Sequence, residues 1–281
     1  MRIRWILFII VSACLIGGLV AGVYARSIEA ALTTQPVASQ GTGGTQGKPP
    51  TVTQSPTTGQ SRPSATPTTP PKATPTPATT PLPTGVSVLA RDTFQRAAQV
   101  FWGTASDGNM WVGDANSIEI FSITHDAGLI AAGQGAFNAI LGPSSTDAEI
   151  VVSATVNQFA ANGAVNLGVA LRWKDGNNWY KALINGSQLQ ILSRVQGVTK
   201  VLAAMPFTAA GGTSYTLRFR AMGANLLAKA WLTGQPEPAN WLLQTTDTAL
   251  TQGMGGIRVV LQNTTTIQVT SFLETTVGII G

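Results

Sequence analysis

Asp147 and Glu149 are the closest pair of acids in the C-terminal two thirds of the chain. Side chains two apart share one face of a strand, and two carboxylates aimed at one bond are what glycoside hydrolysis requires. The residues that follow, Ile150 to Val156, are apolar or small, so the pair reads as the solvated entrance to a strand. A Ser-His-Asp arrangement is no better supported. His125 is the sole histidine, it sits in a Thr-His-Asp turn, and no Gly-x-Ser-x-Gly elbow accompanies it. One histidine cannot supply the three or four ligands of a zinc site. The single cysteine, Cys14, lies in an apolar N-terminal run, which excludes a disulfide or thiolate site elsewhere. Neither catalytic residue, metal nor cofactor is expected.

Sugar recognition asks for less: a ring for the apolar face of a pyranose and planar polar groups for its hydroxyls. Arg172, Trp179, Tyr180 and Trp231 are the candidates. Core packing is the competing use of the rings, and a solvent-facing position that of Arg172. Which of Trp179 and Tyr180 shares a face with Arg172 depends on hairpin register, because a slip of one residue swaps the faces. Asp92, Phe94 and Arg96 would share a face in an extended strand, with the charges free to pair with a neighbouring strand.

These residues must be positioned by strands. Tyr215-Thr-Leu-Arg-Phe-Arg alternates cleanly, as does Val165 to Trp173. Further runs lie at 118–123, 128–132, 136–141, 149–156, 179–184, 188–195, 199–203, 225–232, 256–261 and 267–274. Turn chemistry separates them at Asp175-Gly176-Asn177-Asn178, Asn185-Gly186, Gln196-Gly197 and Gly211-Gly212. About a dozen short strands make an all-β fold, a two-sheet antiparallel sandwich of the jelly-roll kind, the expected architecture.

Composition divides the 281 residues unevenly. Residues 1–32 contain Trp5 to Tyr24, 20 uncharged residues after Arg2 and Arg4, enough to span a bilayer with the N-terminus inside. Cleavage after Val23-Tyr24-Ala25, or lipid attachment at Cys14, are the alternatives to a retained anchor. Each places the remainder outside the cytoplasm. Residues 33–85 are expected to be a disordered Pro/Thr-rich linker, since 32 of the 52 residues from Thr33 to Thr84 are Pro, Thr or Ser. Its reach lies between roughly 40 Å as a coil and about 160 Å extended. Residues 86–281 form the domain, with six of the seven tryptophans. The net charge of +5 is misleading, because residues 85 to 281 carry 11 Lys/Arg and 11 Asp/Glu. Nucleic acid is therefore not an expected partner.

Several stretches resemble the concanavalin A-like lectin/glucanase, or laminin-G-like, jelly rolls of bacterial surface proteins. They are Arg91-Asp92-Thr93-Phe94-Gln95-Arg96, Trp102-Gly103-Thr104-Ala105 through Trp111, Asp175 to Tyr180, Leu227 to Trp231, Pro236 to Trp241 and Gly256-Ile257-Arg258-Val259. The resemblance spans residues 88 to 277 and implies the sandwich, but no one function, since that superfamily holds lectins, hydrolases and adhesion modules. The Glu-x-Asp-x-x-Glu run of its glucanases is absent. Acidic residues often found in the last strand are replaced here by Val269-Thr270-Ser271-Phe272-Leu273. The expectation is a non-catalytic module for carbohydrate of the envelope or environment, with a hydrolase or a structural, adhesive protein as alternatives.

Overall fold

A computed structural model describes residues 85–277. The expected membrane segment and most of the expected linker lie outside the described residues. Among the described residues no helix is long and apolar enough to cross a membrane.

Strands occupy most of the domain and form two antiparallel sheets. The first strands are β1 (Val88–Asp92), β2 (Gln99–Val100), β3 (Val112–Gly113), β4 (Phe121–Thr124) and β5 (Ala127–Ala131). Then come β6 (Gly135–Ser145), β7 (Ala148–Val156), β8 (Leu167–Asp175), β9 (Asn178–Ile184), β10 (Gln188–Val195) and β11 (Val198–Pro206). The chain closes with β12 (Ser214–Met222), β13 (Asn225–Leu232), β14 (Leu243–Thr246), β15 (Gly253–Leu261) and β16 (Thr266–Thr276). A nine-stranded sheet runs β14-β13-β12-β7-β16-β5-β4-β2, with β1 also on β16. The second sheet has seven strands in the order β11-β10-β9-β8-β15-β6-β3.

Period-two patterning sets which side chains meet between the sheets. Ile150, Val152, Ala154 and Val156 of β7 face inward beside Leu217 and Phe219 of β12, and from the other sheet Leu167, Val169 and Leu171 of β8 join Tyr180, Ala182 and Ile184 of β9. One end of the core is aromatic. Trp102 stands edge-on to Trp111 at 4.8 Å and to Phe94 at 5.0 Å, and Trp111 meets Phe272 at 5.1 Å. Burying each such ring contributes about 1.5–3 kcal/mol.

Asp92 is fully buried beside this cluster. Its carboxylate accepts the Trp111 indole N–H at 2.7 Å, the Phe94 amide at 2.8 Å and a bidentate pair from Arg96 at 2.7 and 3.0 Å. The extended strand through Phe94 is therefore corrected. β1 stops at Asp92, Phe94 takes a left-handed φ of 56°, and this turn lets Asp92 and Arg96 pair with each other rather than across strands.

Candidate functional site

The register of β9 on β8 decides the fate of the predicted residues. Leu171 lies opposite Tyr180 and Ala170 opposite Lys181, so Tyr180 points into the core and Trp179 and Lys181 point outward. The Tyr180 hydroxyl donates to Asp247 Oδ1 at 2.5 Å and accepts the Leu250 amide at 3.0 Å. Burial, then the Asp247 bond, push its pKa up to about 12.

Arg172 lies at a bulge in β8 with a left-handed φ of 51°. Its guanidinium, 5.9 Å from the Tyr180 ring centre, donates to the carbonyls of Thr146 (3.0 Å), Leu250 (2.8 Å) and Gly223 (2.7 Å). It faces neither solvent nor an open site; it ties three connecting loops together. Trp231, partly exposed, lies opposite Thr216 on the outer face of the nine-stranded sheet. The four predicted residues thus divide among the core, a loop junction and two opposite outer faces.

The expected solvation of the acidic pair holds for Asp147 alone. Glu149 is only 6 % exposed, bonded by Arg218 and, at 2.6 Å, by Arg220 Nε. Lys229 and Arg218 each reach Glu237 at 2.6 Å, and the Trp241 ring lies 4.8 Å from Lys229 Nζ. On this outer face Arg218, Arg220 and Lys229 each have a carboxylate. Asp147 meets Arg172 at 3.5 Å and accepts the Gly223 amide at 2.8 Å. Both members of the sequence-proposed pair are engaged by cations.

The outer face of the seven-stranded sheet is built differently. Trp179, Lys181 and Leu183 of β9, Ala170 of β8 and Ile140 of β6 are buried there without belonging to the inter-sheet core. The Arg258 guanidinium of β15 lies 4.6 Å over the Trp179 ring and bonds to Asn138 Oδ1 of β6. Arg194 of β10 is directly opposite Trp179. Lys181 lies along Gly168, where a Cβ would collide with its Cε and come within 2.8 Å of the Arg258 carbonyl, and it donates to Asn166 Oδ1 at 2.5 Å. Burial, and secondly Arg258, hold the Lys181 pKa well below its ordinary value. Burial and then Arg194 lower that of Arg258, against the pull of Asp114.

Chemically this face offers a planar guanidinium supported on an indole, flanked by amides, a second guanidinium and a buried amine. Sequence reasoning found Trp179 but missed Arg258, Arg194, Lys181 and Asn138. The alternation of Gly256 to Leu261 carried the signal for Arg258, because Ile257, Val259 and Leu261 fill the core and leave Arg258 outside.

One further carboxyl group is buried. Glu274, beyond the stretch read as lacking acids, points between the sheets toward Gly255, where a Cβ would collide with its carboxyl. Among the described residues neither oxygen has a hydrogen-bond partner, and burial pushes its pKa up to about 8.

No family model matches the chain, and no curated protein sequence matches it. Solved structures do. The chain is similar to the carbohydrate binding module CBM66 from Bacillus subtilis at 16% identity, covering 57% of this chain and 94% of that one, with a TM-score of 0.46. It is similar to the VIP36 exoplasmic/lumenal domain with bound Ca2+ and Man2 at 10% identity, covering 64% and 87%, with a TM-score of 0.47. Similarity to the GH43 protein BlXynB from Bacillus licheniformis is at 12% identity and a TM-score of 0.51, over 66% of this chain but 39% of that protein's length. At such identities the last likeness is one of fold: an all-β, two-sheet antiparallel sandwich, as the sequence led us to expect.

Proposed function

We propose that residues 86–281 form a non-catalytic carbohydrate-binding module. The N-terminal segment and the Pro/Thr-rich linker hold it outside the membrane. The observation that carries this reading is the Arg258–Trp179 stack on the outer face of the seven-stranded sheet, with Asn138 beside it. Stacked planar groups flanked by amides suit the apolar face and the hydroxyls of a pyranose. Because Trp179 is only 3 % exposed, its part is to hold Arg258 flat, and the guanidinium is the surface a ligand meets. CBM66 and the mannose-bound VIP36 domain, similar in fold class, are named for sugar binding, which accords with the proposal without carrying it.

A glycan array probed with the full chain tests this. Arg258→Ala and Asn138→Ala should each weaken binding, whereas Tyr180→Phe, on the core side, should leave it intact. Sustained turnover of an oligosaccharide, abolished by Asp147→Asn or Glu149→Gln, would replace the binding module with a hydrolase.

A further inference from the structure

The two outer faces each cluster three basic side chains and treat them oppositely. Arg218, Arg220 and Lys229 on the nine-stranded sheet each pair with Glu149 or Glu237. On the seven-stranded sheet Arg258, Arg194 and Lys181 form no ion pair with any of the described residues. Arg258 bonds an amide oxygen, as does Lys181, and Arg194 donates to the Thr199 hydroxyl at 2.9 Å while its buried Nε makes no hydrogen bond. Two acids lie near this face, and both are engaged. Asp114 accepts the Asn138 amide at 2.7 Å and its side-chain Nδ2 at 3.3 Å, and Asp175 accepts from the Asn177 amide and the Asn178 side chain.

Guanidinium groups partly removed from water with no paired carboxylate cost stability, and a partner that supplies the charge recovers it. A neutral sugar does not. We infer that this face binds a glycan carrying carboxylates, a polyuronate-type chain, with a carboxylate docked on the Arg258 and Arg194 guanidinium groups. The inference rests on the carbohydrate-binding reading and narrows its ligand class. A flat guanidinium fixed on an indole presents its N–H edge in one plane, and a planar carboxylate matches that edge through two parallel bonds. Lys181 is too buried to touch the ligand, so the docking falls to the two guanidinium groups.

Affinity electrophoresis of the detergent-solubilised full chain provides the test, in gels containing polygalacturonate, dextran sulfate or neutral levan. Polygalacturonate should retard the protein most, and added salt should weaken the effect. Arg258→Gln and Arg194→Gln should each raise the apparent Kd about tenfold, the scale of one charge-assisted contact. Arg258→Lys, which keeps the charge but loses the fork, should fall between. Arg91→Gln, on the other sheet, makes the same charge change and should have no effect. Unchanged melting temperatures would show that the variants fold.

Binding to levan with no preference for polygalacturonate would overturn this inference and leave the carbohydrate-binding reading standing. Absence of binding to any glycan would overturn both. Equal retardation by dextran sulfate would also overturn it, as would wild-type retention of the folded Gln variants by polygalacturonate.

Discussion

Glu274 projects between the sheets with both carboxyl oxygens unbonded, and burial pushes its pKa to about 8. In the unfolded chain the same group titrates near 4.5. Below that value both states hold the proton and the fold loses nothing. As pH rises toward 8 the unfolded chain releases its proton and the folded one does not, so stability falls by about 1.4 kcal/mol per pH unit and then levels off. Glu274→Gln keeps the shape without the titration. Its melting temperature should match that of the parent near pH 4 and exceed it increasingly up to pH 8. A parent whose melting is insensitive to pH across that window would show that Glu274 is not held neutral. The position illustrates a limit of sequence reading: a carboxyl among apolar neighbours is visible, but its burial between two sheets depends on Gly255, 19 residues away.

Strands were legible wherever large apolar residues alternate. β10 and β13 coincide with their expected bounds, and β7, β9 and β12 differ by a residue or two at an end. Those not foreseen have a different character. β2 and β3 are two residues long, β14 is Leu-Gln-Thr-Thr, and in β1 the inward positions are Ala90 and Asp92. No pattern rule assigns an aspartate to a core until the Trp111 indole and Arg96 are known to be its partners. The outer face of the seven-stranded sheet was hidden for a related reason. Eleven bases against eleven acids describe a neutral domain, whereas register concentrates ion pairs on the outer face of one sheet and sets Arg194 and Arg258, without an ion pair among the described residues, on that of the other. Among the links between elements, Arg172 joins the β6–β7, β12–β13 and β14–β15 connections through three carbonyls. Arg172→Ala should destabilise the domain by about 2–4 kcal/mol in denaturant melts, because three carbonyls, that of buried Leu250 among them, lose their donor. Arg172→Lys should restore only part of this. A loss below 1 kcal/mol, or none, would mean that water replaces the guanidinium readily.

For the whole molecule, both faces of the core come from residues 86–281, and the Thr33–Thr84 segment offers no aromatic side chain to complete it. The fragment 86–281 should therefore melt cooperatively and give a β-type circular dichroism spectrum. An insoluble or non-cooperative fragment would move the domain boundary toward the N-terminus. Protease treatment of intact cells should release the domain by cutting within the linker, if the N-terminal segment is a retained anchor. A soluble form beginning at Arg26 would instead identify cleavage.

The pairing of β1 with β16 has another consequence. Val88 lies opposite Thr275, the Thr276 amide donates to the Ser87 carbonyl at 2.9 Å, and the Ser87 amide donates to the Thr276 hydroxyl at the same distance. The domain enters and leaves through one hydrogen-bonded gate. A linker of a few residues can join the two ends at little entropic cost, and a new opening can be made between His125 and Asp126, exposed turn residues with φ of 50° and 56° that neither supplies as glycine. Such a circular permutant should melt within a few degrees of its parent. The same geometry makes the sandwich a cassette: inserted into a surface loop of another protein, it would hold that loop's two stems side by side and present both outer faces unchanged.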